Sequence, residues 1–310
     1  MGVSSRKFLG TVAGLALALG VTGTAVADVP ESSRPIVIPM NNWTGETINA
    51  AVAGQILEDM GYNVEYVAIG AIAMAQGVAD GDVTYAPELW DNNLGDLYAD
   101  YIVEGKILDL GEVGIDAREG WLYPVHVKEL CPGLPDWDAF LGCSEIFSTA
   151  ETFPNGRYLD YPAEWLSRGG DLVRQEGLPF DVVPAGSEGA LIAELKSSVE
   201  RKSALVMMFW APHWALFEHD YEWVEMPDDL VNAYSLQKPR VFKAGWPGMV
   251  DEWPVATRFI QNFTIGNADQ ELLMGMVDND GADLMDATRA WIDENPDKWQ
   301  PMVDAAMAGS

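Results

Sequence analysis

Four of the chain's twelve tryptophans, Trp43, Trp90, Trp165 and Trp210, each stand just after a segment that reads as a strand or its end. Three local contexts are distinctive: Asn42-Trp43-Thr44, Glu88-Leu89-Trp90-Asp91-Asn92 and Met208-Phe209-Trp210-Ala211-Pro212-His213. A side chain at the carboxyl end of a strand in an open α/β sheet points into the crevice where such sheets bind ligands. An indole carries negative charge on its ring face, so several faces turned to one point form a box for a methylated cation. The competing reading is four core tryptophans, since large aromatics are highly buried on average. Four strand-end positions in a chain that also reads as exported favour the cage.

Other chemistry finds little support. Gly186-Ser187-Glu188-Gly189 has its glycine immediately before the serine, not two residues before as a nucleophile elbow requires. His126, His213 and His219 lack partners at catalytic spacing. No GxGxxG and no GxxxxGK is present, so nucleotide binding has no motif to rest on. Asp278, Asp280 and Asp283, in Asp278-Asn279-Asp280-Gly281-Ala282-Asp283, match the first half of a calcium-binding loop. The twelfth place of that loop holds Arg289 instead of the bidentate glutamate. A structural Ca²⁺ therefore stands against a plain turn whose last aspartate caps the next helix. Glu164 has two readings as well: a first-turn carboxylate that suits the helix dipole, or a cage group that meets the polar end of a ligand. Ionised, it would repel a ligand carboxylate and accept from a hydroxyl; protonated, it would donate to an oxide.

The start of the chain sets the compartment. Arg6 and Lys7 precede an apolar run from Phe8 to Val21, and Ala25-Val26-Ala27 is a small-residue cleavage site. Residues 1–27 read as a secretory signal peptide, too short in its apolar part to span a bilayer, which predicts a periplasmic protein. Removing that segment takes Arg6 and Lys7 with it and moves the formal charge from −30 to −32. So acidic a surface repels phosphate backbones and argues against nucleic acid as a partner. Disorder is excluded because 48% of residues are hydrophobic and 10% aromatic. Cys131 and Cys143 lie twelve apart in an oxidising compartment and predict a disulfide. It closes a turn-rich loop and contributes about 3 kcal/mol on the chain-entropy model.

These residues need a framework. Pro35–Met40 reads as a buried strand, Thr44 as the cap of a helix through Ile48, Val52 and Ile56, and Val64–Ile69 as a second strand. A helix over Ala71–Val78 and a strand over Val83–Ala86 follow, and Asn92 or Asn93 opens a third helix. This alternation predicts a mostly parallel sheet covered by helices. A second unit runs from a strand at Trp121–Val127 through strands at Tyr158–Tyr161, Phe180–Val183 and Ala204–Phe209. Between these, Pro162 opens a helix that stops at Gly169-Gly170, and Glu188–Ser198 forms another. From about Val241 the pattern reads as helical to the end. The resulting fold class is α/β in two lobes around a ligand cleft, with 28–118 and 240–310 in lobe one and 119–239 in lobe two.

With the tryptophans placed on this framework, the chain resembles the periplasmic substrate-binding proteins of ABC importers for glycine betaine, choline and related compounds. The resemblance covers most of residues 35–305. It places ligand tryptophans at Trp43, Trp90 and Trp210 and a second-lobe ligand position at Pro162-Ala-Glu-Trp165. Trp121 falls near a further aromatic ligand position of choline-binding members. Choline binders carry an Asp two residues after the first tryptophan, where this chain has Gly45. The loop from Leu130 to Phe153 is longer than the family's. The resemblance implies a monomer that needs no cofactor, performs no turnover, and hands its solute to an inner-membrane permease. No basic side chain stands near the cage positions, so a betaine carboxylate would fall to backbone N–H groups or His213. Trimethylamine N-oxide heads the expected ligands, followed by choline and glycine betaine; a dimethylsulfonium osmolyte, carnitine and an exported methylated-amine enzyme are the alternatives.

Overall fold

The computed structural model describes residues 1–2, 29–236 and 238–309, with residues 94–96 described by their backbone alone. All but the first two residues of the signal segment at 1–27 lie outside the described residues. The first run is β1 (Ile36–Met40), α1 (Thr44–Asp59), β2 (Val64–Ala68), α2 (Ala71–Asp80), β3 (Tyr85–Trp90), α3 (Asp91–Val103) and β4 (Leu108–Glu112). The second is β5 (Arg118–Pro124), α4 (Trp137–Gly142), β6 (Gly156–Asp160), α5 (Arg168–Gln175), β7 (Phe180–Pro184), α6 (Glu188–Arg201), β8 (Val206–Ala211), β9 (Tyr221–Trp223) and α7 (Asp228–Ala233). The chain ends with β10 (Val241–Gly245), α8 (Met249–Glu252), α9 (Pro254–Asn262), α10 (Asn267–Met274), α11 (Leu284–Glu294) and α12 (Pro296–Ala308).

The strands form two groups. In the first, β1 pairs parallel with β2, and β10 lies antiparallel between β3 and β4. Thr84 joins the two parts: its amide donates to the Val37 carbonyl and its hydroxyl accepts from the Val37 amide, both at 2.8 Å. The second group is one sheet in the order β7-β6-β8-β5-β9, with β5 antiparallel to β8. The spatial order β2-β1-β3-β10-β4 is thus repeated as β7-β6-β8-β5-β9. In both groups the antiparallel insert is the first strand after the chain crosses over, between Glu112 and Arg118 and again between Trp223 and Val241. This is the two-lobed architecture expected, with α1 buried by β1, β3, α10 and α11, so the C-terminal helices return to the first lobe.

Several local expectations are corrected. Residues 241–245 form a strand, not the start of a helical region, because Phe242 and Ala244 fill the first sheet between β3 and β4. The helix expected to stop at Gly169-Gly170 is a short 3₁₀ turn over Ala163–Trp165, and both glycines lie inside α5. They are there for close approach: a Cβ would fall 2.0 Å from the Tyr158 hydroxyl at Gly169 and 2.4 Å from Asp160 at Gly170. Trp43, not Thr44, is the cap residue of α1. The disulfide Cys131–Cys143 is formed with a Cα separation of 5.8 Å. Its loop also folds around α4, capped by Asp136 and burying Trp137 and Phe140, so the staple does not act alone.

Candidate functional site

The four tryptophans of the sequence pattern meet. Trp43 follows β1 and Trp90 ends β3 in lobe one; Trp165 follows β6 and Trp210 is the penultimate residue of β8 in lobe two. Because β1 corresponds to β6 and β3 to β8, each lobe contributes the same two strand ends to the cleft. Trp165 makes edge-on contacts with Trp43 at 5.8 Å and with Trp210 at 5.6 Å between centroids. Tyr161 packs edge-on to Trp165 and Trp210 at 5.4 and 5.5 Å. Together with Ala71, Trp90, Asn93 and Glu119 these rings enclose a cavity of about 40 Å³. A water needs roughly 10–15 Å³ of such space, so the cavity suits one small compact solute. Among the described residues, none that lines it is cationic.

The cage is held from behind by polar groups. Glu88, fully buried in β3, accepts from the indole N–H of Trp43 and of Trp90 on one oxygen, both at 2.9 Å. Its other oxygen accepts from Asn49 at 2.6 Å and Gln270 at 2.7 Å. Burial raises the Glu88 pKa, against which these donors act. The indole of Trp165 donates across the cleft to Asn42 Oδ1 at 2.6 Å. Gly45 packs against this backing. A Cβ there would lie 2.9 Å from the Gln270 amide nitrogen and 3.5 Å from both Glu88 oxygens, so the aspartate of choline binders has no room without displacing Gln270.

Glu119 is the site residue that sequence reasoning missed. It is 1% exposed, lines the cavity, and accepts from the side chains of Asn92 and Asn93. Burial pushes its carboxyl up to about 7, opposed by those amides and the facing Tyr161 hydroxyl and reinforced by Asp160. The shift brings the protonated, hydrogen-bond-donating form of this carboxyl into the neutral range. Its signal lay in register: Glu119 is the cross-strand partner of Trp210 in the β5–β8 pair, so the two share a face. A strand taken to begin at Trp121 hid that pairing. Tyr161, Asn93 and Ala71 were likewise not anticipated.

Three expected site residues lie elsewhere. Trp121 is wholly buried and packs on Trp137, Phe140, Tyr158 and Phe180, two residues along β5 from the cage. It is a core residue, displaced from the cleft because only the first part of β5 reaches it. Glu164 is exposed on the lip, where it accepts from Asn42 of the other lobe, and does not line the cavity. Its 3₁₀ turn directs Trp165 inward and leaves Glu164 at the rim. His213 backs Trp210 edge-on at 4.8 Å. Its Nδ1 accepts from the Ala215 amide, so Nε2 carries the proton and donates to Glu188 at 3.1 Å.

The aspartates weighed as a calcium loop have separate tasks. Asp283 caps α11 by accepting from the amides of Met285 and Asp286. Asp280 accepts from the Asn279 side chain. Asp278 turns to the cleft, accepting from the Trp214 indole at 3.0 Å and lying 2.7 Å from the Thr44 hydroxyl. The Thr44 amide donates to Glu188 at 2.8 Å, so Thr44 with Glu188 and Asp278 with Trp214 latch the lobes together.

Two α/β lobes closed on an aromatic box have the form of a solute-binding protein. The chain matches the model for the substrate-binding domain of ABC-type glycine betaine transport systems over residues 34–294, and it belongs to that family. It is 27% identical to a trimethylamine N-oxide-binding protein of Pelagibacter ubique, covering 96% of this chain and 99% of that one. Its fold is similar to the glycine betaine/L-proline-binding protein of Borrelia burgdorferi (TM-score 0.75, 20% identity, 88% and 100% of the two chains covered). It is also similar to a choline-binding protein in complex with choline (TM-score 0.75, 20% identity, 90% and 99% covered). The chain is therefore a substrate-binding component of the ABC-type glycine betaine transport family, whose members bind solutes and are not enzymes. Among the described residues no helix is long and apolar enough to cross a membrane.

Proposed function

We propose that the chain is a periplasmic receptor whose ligand is trimethylamine N-oxide, which it delivers as a monomer to an inner-membrane permease. The observation that carries this reading is Glu119, among the described residues the carboxyl that lines the cavity with the indoles, its pKa pushed up to about 7 by burial. The trimethylammonium end of the ligand carries the positive charge and is met by the faces of Trp43, Trp90, Trp165 and Trp210. The oxide then accepts a hydrogen bond from protonated Glu119. Trimethylamine N-oxide is the most compact of the family's solutes, a trimethylated nitrogen carrying a single oxygen, and it suits a cavity this small. A betaine carboxylate would meet Glu119 with no cationic lining residue to offset it. The relative from Pelagibacter ubique, aligned over nearly its whole length, supports the same ligand.

The capture needs no cofactor, because the faces and one carboxyl supply every interaction. A formal charge of −30 draws cations to the surface, and residues 1–27 direct export. Calorimetry against trimethylamine N-oxide, choline, glycine betaine, carnitine and dimethylsulfoniopropionate tests the reading. Trimethylamine N-oxide should bind tightest, in its unaltered form. Tighter binding of choline would move Glu119 to the role of carboxylate acceptor, and binding of none would end the proposal.

A further inference from the structure

The indole N–H groups of Trp43 and Trp90 converge on a single oxygen of Glu88, and the other oxygen receives two amide donors. An indole N–H donates and never accepts, so the first oxygen has no place for an acid proton. Asn49, Gln270 and both tryptophans belong to the same lobe as Glu88, and none of these bonds crosses the cleft. From this geometry we infer that Glu88 is an anionic positioning residue, which fixes half the cage before the lobes close and enriches its two indole faces in negative charge. This rests on the cage reading given above and names what tunes it.

Two physical effects follow from one carboxylate. The paired hydrogen bonds fix the rotation of Trp43 and Trp90, so ordering their rings costs little when ligand arrives. A charge-assisted hydrogen bond also polarises its donor, shifting electron density from N–H toward the ring and strengthening the attraction of the face for a cation. Glu88 itself does not line the cavity and acts through the indoles.

A double-mutant cycle tests the inference with trimethylamine N-oxide as probe. Glu88→Gln keeps an oxygen to accept from both indoles and removes the charge. Trp43→Phe with Trp90→Phe keeps two aromatic faces and removes both N–H donors. In the parent background Glu88→Gln should raise Kd roughly tenfold, with circular dichroism and melting unchanged. In the double-Phe background the same change should raise Kd by no more than about twofold, since its path is gone. An equal effect in both backgrounds, or none in the parent, overturns the inference while leaving the cage reading intact. No binding by the parent protein removes both. Should Glu88→Gln fail to fold, the indole N–H signals in the nuclear magnetic resonance spectrum of the ligand-free parent decide. The Phe variants assign the signals of Trp43 and Trp90; protection of both from solvent exchange supports the inference, and free exchange of either overturns it.

Discussion

Asn42 Oδ1 accepts from the Trp165 indole at 2.6 Å, tying a residue of the first lobe to a cage ring of the second. The Asn42 amide also donates to Glu164, so one side chain bridges the cleft twice. Neither bond can exist once the lobes part. Asn42→Ala should therefore weaken ligand binding by tenfold or more, from about 1–3 kcal/mol lost in the closed state. The melting temperature of the ligand-free protein should hardly move. Small-angle scattering with and without ligand checks that closure is the step affected; parental affinity in the variant would mean the cleft closes without Asn42.

Trp→Ala at Trp43, Trp90, Trp165 or Trp210 should cost about tenfold or more in affinity, and Trp→Phe less. Trp121→Ala should behave in the opposite way. That side chain is fully buried among four aromatic neighbours, so its removal should cost about 3–5 kcal/mol of stability, read by denaturant unfolding. Whatever fraction stays folded should bind as the parent does. A loss of affinity at Trp121 with stability preserved would return it to the cage.

Burial pushes the Glu119 carboxyl up to about 7, which gives ligand binding a pH dependence of predictable sign. Its protonated form donates to an oxide, so trimethylamine N-oxide affinity should be greatest below about pH 7 and fall as pH rises through it. A ligand that needs the carboxylate, such as the hydroxyl of choline, should show the reverse trend. Glu119→Gln supplies a neutral donor at every pH and should flatten the trimethylamine N-oxide profile. Titration calorimetry from about pH 5.5 to 8.5 distinguishes these cases, and a flat parental profile would remove Glu119 from the contact.

Glu164→Ala is expected to matter little. The sequence left this carboxylate between a helix-start role and a ligand-discriminating cage role, whereas the exposed side chain meets Asn42 on the rim. The variant should lose about threefold in affinity, near the 0.5–1.5 kcal/mol of an ordinary hydrogen bond, and equally for every ligand. Selectivity between choline and trimethylamine N-oxide that changes in this variant would put Glu164 back in contact with the ligand.

Local sequence placed Trp43, Trp90, Trp165 and Trp210 at or beyond the carboxyl ends of strands, and it encoded the βα framework and the disulfide. Each is encoded locally: hydrophobic periodicity marks β1, β3, β6 and β8, and side chains at or beyond their carboxyl ends face the crevice. What lay beyond it was set by pairing between distant segments. Glu119 became a cavity residue because β5 runs antiparallel to β8 in the register that opposes Glu119 to Trp210. The same register carried Trp121, two residues on, into the core. Residues 241–245 are a strand because β3 and β4 offer a gap in the first sheet, and their own pattern does not announce it. Gly169 and Gly170 read as a helix stop because close approach to Tyr158 and Asp160 is invisible along the chain. Glu88 is encoded two residues before Trp90 on the same face of β3, yet its task required Trp43, Asn49 and Gln270 to converge on its two oxygens. Local periodicity fixes where a strand ends; only tertiary pairing decides which side chains then share a face, and the carboxylates that tune this cage depend on the second.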